Sequence, residues 1–108
     1  FVTPLKGVAT IEVIQAPSKF VGKEIHTVYK IKNTSAAPIA LLKIDEYWYD
    51  KAGKLVSSDT QRHRQPFTPG ETIEMTTKSP ANPGAERSQA QFSHANGTVK
   101  PKRVTKFK

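Results

Sequence analysis

Three histidines, one pair of adjacent carboxylates and one serine-rich stretch are the residues whose types could carry chemistry in this chain. His26, His63 and His94 fall on three separate stretches, with no His-x-His or His-x-x-x-His spacing and no cysteine anywhere. A metal site needs three or four converging ligands held by a further layer of hydrogen bonds, so these read as solvated or rim histidines. Asp45 and Glu46 are neighbours in an extended run, where successive side chains point to opposite faces. They cannot share a substrate as acid and base, and each reads as a surface or edge charge. Ser57, Ser58 and Asp59, close to His63, have the types of a nucleophilic triad. The Gly-x-Ser-x-Gly elbow and a glycine-rich oxyanion loop are both missing. Six glycines are scattered singly, so there is no phosphate-cradling loop. The expectation is a non-enzyme without cofactor or metal.

Two other groupings point to binding. Tyr47 and Tyr49 flank Trp48, the only tryptophan; alternation sends Trp48 to one face and both tyrosines to the other, where they form a candidate aromatic platform. Lys100, Lys102, Arg103, Lys106 and Lys108 lie in the last 21 residues, a stretch with no acid at all. The net charge is +8, and the remaining 87 residues hold only +3 of it. The basic segment is a candidate contact for a polyanion, which Arg62 and Arg64 would extend if their strand lies alongside. The competing reading is that lysines keep an edge strand from pairing with other chains.

The elements that must position these residues are strands. Ile39 to Val56 is the densest apolar and aromatic run, and it breaks at Asp50-Lys51-Ala52-Gly53, a hairpin signal. Val8–Ile14 and Glu24–Asn33 alternate, the second with Ile25, Thr27, Tyr29 and Ile31 toward the core. A return strand follows over Lys54–Arg64, then a strand over Thr72–Thr77 after the Pro66 to Glu71 turn. Ser79–Ala85, with Pro80, Pro83 and Gly84, reads as a loop. Glu86–Ala95 alternates through Ala90, Phe92 and His94 and is read as a strand, although its composition also resembles a helix start. Val99–Phe107 completes the set. The two Asn-x-Ser/Thr triplets, at Asn33 and Asn96, fall at turns. Seven short strands and no amphipathic helix predict an all-β, immunoglobulin-like two-sheet sandwich of antiparallel strands, in one domain spanning residues 1–108. Its predicted core is Ile31, Leu42, Ile44, Trp48, Ile73, Met75 and Phe92. No apolar run approaches a membrane span, and no signal peptide is visible, consistent with a processed protein or an excised domain.

Residues 25 to 107 carry a further pattern: Lys30-Ile31-Lys32-Asn33-Thr34-Ser35, then Pro38-Ile39, then a strand ending Trp48-Tyr49-Asp50, then Phe67-Thr68-Pro69-Gly70-Glu71. This resembles the FxLYD domain of bacterial envelope proteins, with Trp48 in place of the leucine and Glu46 where the phenylalanine would stand. The resemblance implies an immunoglobulin-like sandwich in the periplasm, at the cell surface or secreted, and carries over no catalytic residue. The expected function is an interaction or accessory module, with another protein or an envelope polymer as partner and with Ser79–Ala85 and Gly97–Arg103 as contact loops. Self-association by edge-strand pairing is a further expectation. The alternative is a basic, OB-like nucleic-acid-binding domain that uses Tyr47, Tyr49 and the C-terminal lysines.

Overall fold

The computed structural model describes residues 3 to 107 and is built from eight strands. They are β1 (Ala9–Gln15), β2 (Lys19–Val21), β3 (Glu24–Asn33), β4 (Leu42–Tyr49), β5 (Leu55–His63), β6 (Thr72–Pro80), β7 (Arg87–His94) and β8 (Gly97–Arg103). No described residue is helical. The predicted strand over 86–95 is therefore a strand. Its alternation buries Phe92 and His94, which a helix of that composition has too few apolar residues to do.

The two-sheet sandwich does not form. One continuous sheet runs β2-β3-β1-β8-β7-β4-β5, with β6 on the other edge of β3, and it curls into a half-barrel. The correction comes from β8. Gly97 and Thr98 pair antiparallel with β7, and the next five residues pair parallel with β1. The Asn96-Gly97 turn returns the chain beside β7 for two residue pairs only. The strand then moves across to β1, so the two halves share β8 instead of stacking as separate sheets. The strands are thus not all antiparallel, and β2, a three-residue strand before the Gly22 turn, adds an eighth.

Alternation fills the concave side. Ala9, Ile11 and Val13 of β1, Tyr29 and Ile31 of β3, Leu42 and Ile44 of β4, Met75 of β6 and Phe92 of β7 form one buried cluster with Ile39 and Phe67. Ile73 is partly buried against it, and Trp48 is buried beside it. Tyr29 and Phe92 meet edge to face, with centroids 6.1 Å apart. Ile39 is not part of β4: it exchanges both backbone hydrogen bonds with Phe67 as an isolated bridge. Leu41, at φ 52°, breaks the run before Leu42.

Curling brings the free edges of β5 and β6 together without a backbone ladder. Ser57, Asp59, Gln61 and His63 of β5 sit opposite Trp48, Glu46, Ile44 and Leu42 and so share the inner face. The Ser57 hydroxyl donates to the Pro80 carbonyl (2.5 Å), and the Lys78 N–H donates to Asp59 Oδ2 (2.6 Å). Side chains of one edge thus satisfy backbone groups of the other, which would otherwise template strand addition.

Candidate functional site

Glu46 is the largest departure from expectation. It is not a surface charge but fully buried, because it occupies the same inward register as Ile44 and Trp48. Four donors converge on its carboxylate. Tyr29 (2.5 Å) and Thr77 (2.8 Å) donate to Oε2, and Trp48 Nε1 (2.8 Å) and Ser79 (2.9 Å) donate to Oε1. Burying a carboxylate costs several kcal/mol unless its lone pairs are satisfied; two donors on each oxygen is such satisfaction. Burial, then the hydrogen bond to Glu46, pushes the Tyr29 hydroxyl well above the ordinary tyrosine range. The cluster ties β4 to β3 and β6 across the core. With every acceptor site taken and no solvent access, it is a clamp and has no free group for a ligand.

The other chemistry-bearing residues are dispersed. His26 faces outward beside Glu24 (3.0 Å). His63 lies edge-on to Phe67, with centroids 5.8 Å apart, and its Nε2 is buried without a partner among the described residues. His94 Nε2 donates to the Gly7 carbonyl (2.7 Å), while Nδ1 accepts from the Asn96 N–H (3.3 Å). No group of three His, Cys, Asp or Glu side chains suited to a metal occurs among the described residues. Ser57 and Asp59 are engaged on the β6 edge and neither bonds His63, so no triad assembles. Asp45 faces outward to Lys43 (3.4 Å) and Thr60 (2.6 Å).

The predicted binding groups fall on separate parts of the convex face. Tyr47 and Tyr49, both half-buried, lie on β4 between β5 and β7. Lys100 and Lys102 are exposed on β8, opposite Thr10 and Glu12 of β1. β7 and the divergence of β8 from it stand between the two groups. Arg62, on β5 at the far end of the strand order, and Arg64 beyond it do not extend the lysine patch. Gly97–Arg103, expected as a contact loop, is β8. The loop expected over Ser79–Ala85 begins only after Pro80. Arg103 reaches back to Gln15 on the inner register, Lys106 follows the end of β8 instead of lying on a strand, and Lys108 lies outside the described residues.

Lys100 and Lys102 line an open groove of about 460 Å³ with Thr10, Glu12 and Thr34. Neither lysine is ion-paired among the described residues. A second, apolar cavity of about 360 Å³ lies between the segments around Pro38 and Pro66. It was not foreseen, because its walls come from residues far apart in the chain that tertiary contacts such as the Ile39–Phe67 bridge bring together. The one signal in the sequence was a proline next to an apolar residue in each segment, Pro38-Ile39 and Pro66-Phe67.

No family model matches the chain, and no curated protein matches it. Among solved structures, IrmA from Escherichia coli is similar in fold, with a TM-score of 0.63 over 86% of this chain and 91% of that one. Sequence identity is 10%, so the likeness is one of fold. No helix among the described residues is long and apolar enough to cross a membrane.

Proposed function

We propose that the chain is a non-enzymatic recognition module that acts outside the cytoplasm and engages an anionic envelope polymer through the β1–β8 face. The observation that carries this reading is the groove at Lys100 and Lys102. Parallel pairing with β1 holds both ammonium groups on one exposed face beside the hydroxyls of Thr10 and Thr34, with Glu12 as the only acid lining it among the described residues. Unpaired, exposed ammoniums on a rigid sheet suit repeated phosphates or carboxylates. Most inner polar residues, by contrast, are spent on the clamp and on the β5–β6 edge, and His63, which is not, has no Ser or Asp bonded to it among the described residues, which supports binding over catalysis. The location rests on the resemblance of residues 25–107 to the FxLYD domain.

Amide NMR titration with a poly(glycerol phosphate) at low and physiological salt tests the reading. Shifts are expected at Thr10, Thr34, Lys100 and Lys102, and Lys100→Glu with Lys102→Glu should weaken the binding strongly and lower its salt slope by about two. Diffuse shifts that vanish at physiological salt would overturn it. A single-stranded oligonucleotide that instead shifts Tyr47 and Tyr49 together with the lysines would put the nucleic-acid reading in its place.

A further inference from the structure

We propose that the cavity at the Pro38–Pro66 end of the half-barrel is a binding site for an aliphatic monocarboxylate, with the alkyl chain inside and the carboxylate on Arg64. Its volume of about 360 Å³ falls in the range of small-ligand sites. Pro4, Pro38, Pro66, Ile39 and Leu41 supply apolar walls. Arg64 is the one charged residue lining it, is exposed, and has no ion pair or side-chain hydrogen bond among the described residues.

The polar groups around the cavity select the ligand class. Proline has no N–H, and several of the other main-chain groups are already committed. Ile39 N–H and C=O bond Phe67, the Pro38 carbonyl accepts from Leu5, and the Ala40 carbonyl accepts from Ala95. Thr68 gives both its N–H and its hydroxyl to Glu71 (2.9 and 3.1 Å). An extended peptide would find no pairing groups along Pro38, Ile39 or Thr68, whereas an alkyl chain needs no partner. The guanidinium, a planar fork matched to a carboxylate, then has one complement.

The cavity is also pre-formed. Buried Asn33 donates from Nδ2 to the carbonyls of Phe67 (2.8 Å) and Ala37 (3.2 Å), while its Oδ1 accepts from the Ser35 N–H (2.8 Å). This ties both cavity-lining segments to the end of β3. Leu41 is held at φ 52°, a conformation a non-glycine residue adopts only under constraint, and its side chain stays partly exposed on the wall.

Titrating the full chain with decanoate below its micelle concentration, and in parallel with decanol, tests the proposal by amide NMR at physiological salt. Saturable shifts confined to Ala40, Leu41, Arg64 and Thr68 are expected, with decanoate bound more tightly than decanol. Arg64→Gln should weaken decanoate by at least about tenfold, the loss of one charge-assisted contact, and leave decanol unchanged; Arg64→Lys should restore part of the preference. Arg64 is exposed, so its variants keep the fold. Equal binding of the two ligands, an unchanged decanoate affinity in Arg64→Gln, or shifts spread over the lysine face would each overturn the proposal. Binding of a peptide with an apolar C-terminal residue but not of decanoate would overturn the ligand class. Lys100→Glu with Lys102→Glu leaves decanoate binding untouched, which separates this site from the polymer-binding face.

Discussion

At the scale of single residues, the polar core is organised by one carboxylate and the hydroxyl beside it. Tyr29 is buried and donates to Glu46, so its folded-state ionisation lies above that of an unfolded tyrosine near 10. A proton held more tightly in the folded state contributes stability that is fully present below pH 10. That contribution is lost as pH rises beyond it, at up to about 1.4 kcal/mol per pH unit. Tyr29→Phe should therefore cost about 1–3 kcal/mol at neutral pH, because one lone pair of buried Glu46 loses its donor. It should also flatten the alkaline limb of the stability curve above pH 10. Urea unfolding from pH 7 to 11 reads both effects, and an alkaline limb as steep as that of the parent protein would remove Tyr29 from the account. Alternation could have located Glu46: its neighbours two residues away, Ile44 and Trp48, both read as core. A lone Glu gives no sign that four donors will meet it, since Tyr29, Thr77 and Ser79 arrive from other strands.

The elements show how a curled sheet manages edges it does not close. β5 presents a polar inner row because part of its inner face meets the exposed backbone of β6. Asp59 caps the Lys78 N–H and holds Gln61, and Ser57 caps the Pro80 carbonyl. Asp59→Ala combined with Ser57→Ala should cost about 1–3 kcal/mol, the loss of two or three such hydrogen bonds. It should also make the chain self-associate as concentration rises, since an uncapped edge is a pairing template. Sedimentation velocity of the double variant checks this, and a monomer across the range would show that the caps are not what protects the edge. At the other end, Gly97 lies against Gly7, where a Cβ would collide with the Gly7 carbonyl that His94 also bonds. The Asn96-Gly97 turn was visible in the sequence as a hairpin signal. The contact that demands glycine there was not, because its partner is about ninety residues away.

At the scale of the whole molecule, a shared strand and a shared carboxylate join two halves. β8 belongs to both ladders, and Glu46 links β4 to β3 and β6. Unfolding followed by Trp48 fluorescence and by far-ultraviolet circular dichroism should give coincident transitions in the parent chain. Glu46→Ala removes the acceptor of four buried donors, of which Thr77 has another within reach, the Thr27 carbonyl (3.4 Å), and should lower stability by about 3–5 kcal/mol. Separate transitions in the parent chain would mean that the halves fold independently and that β8 is a linker instead of a shared strand.

The sequence by itself determined that the chain is all-β, where most of its strands lie and which residues alternate inward, because period-two patterning and turn chemistry are local. It also located Asp50 and Gly53 in the β4–β5 turn, where Asp50 Oδ1 accepts from Ala52 and Lys54 and Gly53 takes φ 86°. The tertiary structure alone decided that one sheet forms instead of two, since that turns on which strand β8 pairs with after its second residue. It decided that Glu46 is a clamp and that Lys100 and Lys102 stand apart from Tyr47 and Tyr49. It also decided that prolines from separate segments make a cavity with Arg64 on its wall. Each of these depends on contacts between distant residues, where the outcome is set by register and curvature, and neither is written in any short window of the chain.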